Sequence, residues 1–449
     1  MSASSGLKPR HIVGAVIGNA LEFYDFLIYA LFAIQIGHAF FPTSSAYGSL
    51  MLSLATFGAG FATRPLGGIV LGLYADRAGR KPAMRLCLIL IGASITAMAL
   101  IPSYARIGIA APILAVIARL VEGFSLGGEV GANTAYLAEA ASPERRGAVV
   151  SLQGASQLIA LIAGNLVGVA LTAILPPAAL AEYGWRIALL LGASAVPFGL
   201  WLRSGLPETL HRTQPVSAAP PPVPLRRSTD RSAARLTRRH WRAIALGLIV
   251  LASATIGTYI FTYVVTYAQH TLHLPARAGF VAELAGYAVS LPTVVLGGRL
   301  SDRYGRRPIN IWSNLAFLCA TYPVFAWIVA RPSEASLVAG IALLCVPSSL
   351  WTGAFLAALT ETLPEAVRSR GLGTVYATSI ALFGGTTQIV VTWLIHVTGN
   401  PFAPAWYLMA ASAVGQIALL LFPETAPVRL AGGSDRAAPR SPMERGVSR

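Results

Sequence analysis

Charge is scarce in this chain of 449 residues: Asp, Glu, Lys and Arg make up 12% of it, about half of the share a soluble domain carries. Those charges stand in short patches between long apolar runs, and 55% of the residues are hydrophobic, with a mean hydropathy of +0.63. No soluble catalytic domain fits between the runs, so the length is counted in membrane spans. The chain reads as an all-α membrane protein.

Cysteine is equally sparse. Cys87, Cys319 and Cys345 each lie in an apolar stretch, and no Cys/Cys or Cys/His spacing suits a disulfide framework or a zinc site. No nucleophile–base set, metal-ligand spacing or phosphate loop stands outside the apolar runs, which argues against an enzyme and leaves no cofactor or metal to expect. Lysine is nearly absent, with Lys8 and Lys81 set against 32 arginines; with abundant Ala, Gly and Pro this points to a GC-rich gene. With no targeting extension, a bacterial inner membrane is the expected home.

Twelve apolar runs of membrane-spanning size are present, at about 12–38, 47–74, 84–101, 109–138, 148–175, 185–203, 243–268, 278–300, 309–330, 336–361, 373–398 and 403–422. Counting residues at the edge of a run with the adjoining connection, 28 of the 34 basic residues fall at the N-terminus, in the even-numbered connections or at the C-terminus; Arg106, Arg186, Arg277 and Arg331 fall in the odd ones, and Arg64 and Arg119 lie deep inside runs. The positive-inside rule therefore predicts that both termini are cytoplasmic. The net charge of +16 is topological and calls for no nucleic acid.

One long polar stretch, 210–240, carries Pro220, Pro221, Pro222 and Pro224 and then six arginines. It reads as a cytoplasmic basic linker between six-helix halves at 1–209 and 241–425, with 426–449 a disordered cytoplasmic tail. Attraction of the linker to anionic headgroups is a secondary possibility.

The halves repeat. Gly72 to Pro82 reads GLYADRAGRKP, and Gly298 to Pro308 reads GRLSDRYGRRP; AEAASPERRG (Ala138 to Gly147) answers TETLPEAVRSRG (Thr360 to Gly371), and Pro207-Glu208-Thr209 answers Pro423-Glu424-Thr425. Transporters built from such repeats hold substrate between the halves near the midplane and expose it to each side by rocking. The doubled turn, Asp76, Arg77, Gly79, Arg80 and Lys81 with Asp302, Arg303, Gly305, Arg306 and Arg307, suits gating: an acid at a helix end, glycines for a tight turn, and cations whose pairs break and re-form between states. Plain positive-inside anchoring is the alternative.

These motifs resemble the major facilitator superfamily over nearly the whole chain. GNALEFYDFLIYALFA (Gly18 to Ala33), FGAGFATRPLGGIVLG (Phe57 to Gly72) and RLVEGFSLGGEVGANTAYLAE (Arg119 to Glu139) are similar to its metabolite:proton symporter family, nearest the citrate/tricarballylate–proton branch. The resemblance implies the major facilitator fold, twelve transmembrane helices in two six-helix halves, and a carrier working as a monomer. Drug exporters of the superfamily carry a glycine-proline motif in the fifth helix, whereas Ala148 to Leu175 has no proline. A membrane sensor of the same fold would carry an added soluble domain.

Charges inside a bilayer cost about 2.5–3.5 kcal/mol each on insertion scales, so each is a functional candidate. Glu22 and Asp25 share a face of the first run, some 15–20 Å along the helix. Arg64 lies roughly 18 Å from the Asp76 turn and matches carboxylate geometry; a structural pair with Glu22 or Asp25 is the alternative. Arg119, Glu122 and Glu129 form one stripe on the fourth run. Arg119-x-x-Glu122-Gly123 resembles the superfamily's R-x-x-Q-G motif, whose arginine is implicated in proton coupling, with Glu122 in place of the glutamine and able to pair with Arg119.

Asp25 and Glu129, then Glu22 and Glu122, are the candidate proton carriers, because burial raises a carboxyl pKa and a nearby arginine lowers it. Glu283 is left without a role. Asn19, Gln153, Gln157, Tyr259, Tyr263 and Gln388 complete the candidate substrate site with Arg64 and Arg119, while Tyr267 and His396 are weaker candidates. The expectation is import of a small anionic metabolite, citrate or a related tri- or dicarboxylate, with protons as the coupling ion, because two buried arginines favour carboxylates; a keto acid, hydroxy acid or zwitterionic osmolyte is the alternative.

Overall fold

The computed structural model describes residues 19–20, 23–24, 27–78, 80–127, 134, 137–138, 141–204, 241–363 and 365–429. Every regular element among them is helical. In the N-terminal stretch these are α1 (Ala33–Phe40), α2 (Ala46–Ala62), α3 (Arg64–Ala78), α4 (Arg80–Leu100), α5 (Ala110–Ser125), α6 (Leu152–Ile174, entered through the short helix Arg146–Val150) and α7 (Trp185–Ser204). In the C-terminal stretch they are α8 (Trp241–Phe261), α9 (Val264–His270), α10 (Ala276–Tyr304), α11 (Arg306–Ala330), α12 (Glu334–Thr362), α13 (Glu365–Ser379), α14 (Gly385–Thr398) and α15 (Ala403–Leu421).

Eight segments among the described residues are long and apolar enough to cross a membrane: Ala46–Leu71, Pro143–Ile174, Trp241–Phe261, Ala276–Tyr304, Arg306–Ala330, Glu334–Thr362, Gly371–Thr398 and Ala403–Leu421. Each falls on one of the apolar runs read from sequence. The outer faces present large apolar side chains such as Ile69, Leu100, Ile174, Trp312 and Leu421, a surface suited to lipid rather than water.

Three of the runs expected to be single helices are broken near the centre of the bundle, each for a local reason. The run 47–74 breaks at Thr63, where Pro65 supplies no N–H and the Thr63 hydroxyl donates to Leu120 O on α5 at 2.7 Å. The run 243–268 breaks at Thr262–Tyr263, and just past the break the Val265 N–H donates to the carboxylate of Glu283. The run 373–398 passes through a π-helical turn, Ile380–Gly384, beside the closest approach of α2 and α14. There a Cβ on Gly58 would meet the Gly385 carbonyl, so both positions need glycine.

The N- and C-terminal stretches meet along two main seams, α6 on α10 and α2 on α14. One hydrophobic core runs across them: Phe32 and Phe280 rings lie 5.2 Å apart, and Gly168 of α6 makes the space Phe280 fills. At the end of the bundle away from the Asp302 turn, the Tyr47 and His396 rings stack at 3.7 Å and Gln35 donates to Gln269 at 3.5 Å. The linker 210–240 and the tail beyond Arg429 lie outside the described residues.

Candidate functional site

A cavity of about 170 Å³ sits between the two stretches. Gln153, Gln157 and Ser151 line it from the N-terminal side, and Thr255, Tyr259, Ser290, Ser349 and Tyr376 from the C-terminal side. Its polar lining is uncharged among the described residues. Gln157 donates to the Tyr376 hydroxyl at 3.0 Å, closing the cavity with a bond from one stretch to the other.

Arg64 opens α3 immediately after the break at Thr63, and its guanidinium lies 4.6 Å from the Phe61 ring centre. The side chain is buried and within electrostatic reach of Tyr259 and Tyr376, two of the cavity's walls. The helix break thus sets a cation behind the aromatic lining rather than on the lipid side. A planar guanidinium over a ring face can present its in-plane N–H groups to oxygen acceptors in two-point geometry.

Arg119 and Glu122 form a fully buried ion pair at 2.7 Å, and the Arg119 guanidinium also lies 4.7 Å from the Tyr29 ring and 5.3 Å from the Phe57 ring. The intramolecular partner that Glu122 offers is therefore taken up. Arg119 and Glu122 stand apart from the cavity lining, but both act electrostatically on Arg64. Glu122 Oε1 has no hydrogen-bond partner among the described residues.

The remaining candidates divide. Gln153 and Tyr259 line the cavity, and Gln157 spans it. Asn19 lies just behind, donating to Ser156 Oγ at 2.6 Å and accepting from Gln153 Nε2 at 3.2 Å, so it orients Gln153. Tyr263 is not at the cavity: the break in the seventh run turns it away, and its hydroxyl accepts from Thr392 at 2.9 Å. Gln388 reaches the Tyr259 carbonyl at 3.5 Å from behind the wall. Glu22, Asp25, Glu129 and Gly79 lie outside the described residues, as do the side chains of Asp76, Arg77, Arg80 and Lys81.

The second copy of the repeated turn is fully laid out. Asp302, at the end of α10, accepts from the backbone N–H groups of Gly147 and Ala148 at 2.8 and 2.9 Å, at the start of the helix that leads into α6. A carboxylate at a helix N-terminus is favoured by the helix dipole and the unpaired N–H groups there. Arg306, fully buried, bonds Asp302 at 2.6 Å and grips Glu361 with two nitrogens at 3.0 and 3.2 Å. Gly305 has φ of 104°, a left-handed conformation that glycine takes without strain. Glu424 accepts from the N–H groups of Arg306 and Arg307 and so caps α11, while the Arg303 guanidinium lies over Tyr304 and Arg307 donates to Leu420 O.

Sequence reasoning missed Tyr376, Ser290 and Ser349 as cavity walls, because a single serine or tyrosine in an apolar run carries no signal of which way it faces. It also left Glu283 without a role, although that carboxylate joins three helices. It is completely buried, accepts from Val265 N–H at 3.2 Å, and accepts from Asn165 Nδ2 of α6 at 3.3 Å.

Comparison with known proteins gives one family and a consistent set of relatives. The family described as "Sugar (and other) transporter" matches residues 11–213 and 224–432. A citrate-proton symporter of Salmonella typhi is 35% identical over 408 residues, 90% of this chain and 91% of that protein. A proline/betaine transporter of Salmonella typhimurium is 32% identical, over 96% of this chain and 87% of that one. Among solved structures, a D-xylose-proton symporter superposes with a TM-score of 0.71 at 17% identity, covering 93% of this chain and 97% of that one. The human organic anion transporter superposes with a TM-score of 0.59 at 18% identity, over 92% and 100%.

Proposed function

Since the chain belongs to the sugar (and other) transporter family, within the major facilitator superfamily, we propose that it is a proton-coupled symporter importing citrate or a related tri- or dicarboxylate by alternating access. The observation that carries this reading is Arg64: a buried guanidinium held against Phe61, within electrostatic reach of the cavity walls Tyr259 and Tyr376. A carboxylate in the cavity would lie in the field of that cation, which stands behind the walls Tyr259 and Tyr376 rather than in the lining, with Gln153, Gln157 and the tyrosines as hydrogen-bond partners for its oxygens. The similarity to a citrate-proton symporter over nine-tenths of the chain supports the same substrate class.

Around that site we place two six-helix halves at 1–209 and 241–425, twelve spans in all, joined by the basic linker 210–240, with both termini and the tail 426–449 in the cytoplasm of a bacterium. The carrier acts as a monomer in the inner membrane. Asp25, Glu129, Glu22 and Glu122 are the candidates for holding the coupling proton, and the paired turns at Asp76 and Asp302 set the balance between outward and inward states.

A second reading, a zwitterionic osmolyte such as betaine or proline, is favoured by the aromatic cluster Phe57, Phe61 and Tyr259, whose rings meet at 5.2 to 6.1 Å, and by the similarity to a proline/betaine transporter. Such rings suit a quaternary ammonium. The deciding experiment traps a pH dye in proteoliposomes under a clamped potential and adds citrate, tricarballylate, a dicarboxylate, a keto acid and betaine in turn. Acidification with citrate or tricarballylate is the expected result. Acidification with betaine alone moves the substrate to the second reading, and silence with all five removes the symporter assignment.

A further inference from the structure

Glu283 lies on α10, one turn from Tyr287, which lines the cavity, and on the side of it away from the Asp302 turn. In the orientation proposed above, that places the carboxyl between the substrate cavity and the outer face. One oxygen accepts from Val265 N–H, just past the break between α8 and α9; the other accepts from Asn165 of α6, in the opposite half. The side chain is completely buried. It therefore joins the two halves at the point where the outer end must part.

What surrounds it decides its charge. The titratable groups acting with it are Tyr287 on its own helix and Cys345 on α12, neither of them a cation. From α6 it faces Asn165 and from α9 the Val265 amide, and no Lys, Arg or His among the described residues acts on it. An ionised carboxylate buried without a counter-cation is costly, and two N–H donors offset only part of that cost. The Asn165 amide faces Glu283 with its Nδ2, which also donates to Leu161 O at 2.9 Å, while its Oδ1 is buried and has no hydrogen-bond partner among the described residues. A proton on Glu283 removes the buried charge and leaves its carbonyl oxygen to accept from these donors.

We propose that Glu283 is a proton-binding site that governs closure of the outer end: the halves close over it when it carries a proton, and loss of the proton drives that end open. This rests on the transporter reading for its direction. When the outer end is open, water reaches Glu283 and the carboxylate takes a proton from hydronium, leaving water. Closure then buries a neutral acid. When the cavity faces the cytoplasm, the proton leaves from Glu283 to cavity water past Tyr287, and the stranded anion favours reopening outward, where it is hydrated. A proton is moved inward with each cycle, in the sense that symport requires.

The test reads the outer end without using any substrate. Gln35, which meets Gln269 across that end at 3.5 Å, is replaced as Gln35→Cys in the full chain carrying Cys87→Ala, Cys319→Ala and Cys345→Ala. Its labelling by a membrane-impermeant maleimide is measured in intact cells at about pH 5.5 and about pH 8.5, each rate divided by that of the denatured protein at the same pH. With Glu283 present, labelling is expected to be about tenfold faster at the higher pH, within the usual range of coupling between sites. Glu283→Gln should give slow labelling at both pH values, and Glu283→Asp should keep the response with a displaced midpoint. An undiminished rise in the Gln protein overturns the proposal. So does an unmoved midpoint in the Asp protein, which decides the matter if the Gln protein fails to reach the membrane. If this response is intact but citrate acidifies no vesicle, the substrate reading fails and the proton site stands.

Discussion

Asp302 closes onto Gly147, joining the C-terminal stretch to the N-terminal one. The Gly147 N–H donates to Asp302 Oδ1 at 2.8 Å, and a Cβ on Gly147 would collide with the Arg306 guanidinium and the Gly298 carbonyl. The acid and the glycine therefore act together: one supplies the bond, the other the room for it.

Asp302→Asn keeps the shape and removes the charge. Hydrogen bonds to charged groups contribute about 1.5–3 kcal/mol, so the maximal transport rate should fall roughly tenfold as this end opens too readily. Substrate preference should stay as it is. Initial rates over a range of substrate concentrations check this, and a change in which solute is taken up would show that Asp302 does more than gate.

Gly147→Val removes the room instead. The closed contact between Gly147 and Gly298 cannot form around the added methyls, so the protein should accumulate with this end open. Accessibility of a cysteine placed at Ser151 on the same seam should rise several-fold, and unchanged accessibility would mean the N- and C-terminal stretches separate elsewhere.

Arg64→Ala should abolish substrate binding, and Arg64→Lys should not rescue it. The guanidinium lies 4.6 Å from the Phe61 ring centre, where a compact ammonium at the end of a shorter reach makes a different contact, and two-point contact with a carboxylate is lost as well. Binding measured by counterflow, which needs no net proton movement, should drop at least about 100-fold in both, equivalent to about 2.7 kcal/mol. Near-normal counterflow in the Lys protein would leave Arg64 as a structural cation only.

Breaking the Arg119–Glu122 pair by Glu122→Leu should destabilise the folded protein by about 3–5 kcal/mol, because a charge is left buried in the absence of its partner. Arg119→Met together with Glu122→Leu should restore much of the thermal stability and still be inactive. Full activity in the double variant would make the pair a packing element.

His270 gives a pH dependence at the end of the bundle away from the Asp302 turn. Burial, then the charges of His273 and His396, hold it below the usual histidine value of 6.5. The unfolded chain thus takes up this proton at higher pH than the folded one, so the stabilisation is complete above about pH 6.5 and is lost as pH falls through the lowered value. Unfolding temperature should drop on acidification through this window, and less steeply in His270→Asn. Parallel pH profiles for the two proteins would remove His270 as the cause.

The helical class, the apolar runs and the repeated turn were legible in the sequence because each depends on residues close together in the chain. Asp302 with its flanking arginines announced itself that way, and so did Arg64 as a cation inside a run. What was hidden depends on distance or on broken periodicity. Glu283 looked like a lone acid because its partner Asn165 is 118 positions away. Tyr263 shared a four-residue spacing with Tyr259, but the interruption at Thr262–Tyr263 rotates it out of register and onto Thr392. The backbone break that sets Arg64 behind the aromatic wall was signalled only by Pro65, which by itself reads as a tolerated proline.

Glu424 has a practical consequence for anyone handling the protein. It ties the end of α15 to the first N–H groups of α11, and Arg429 then reaches back to the Tyr304 carbonyl at 3.1 Å. The residues just past the last helix are thus a clasp, not slack. A purification tag or fluorescent fusion spliced on directly after Phe422 would undo it, whereas the same cargo attached beyond Arg429 leaves the clasp fastened.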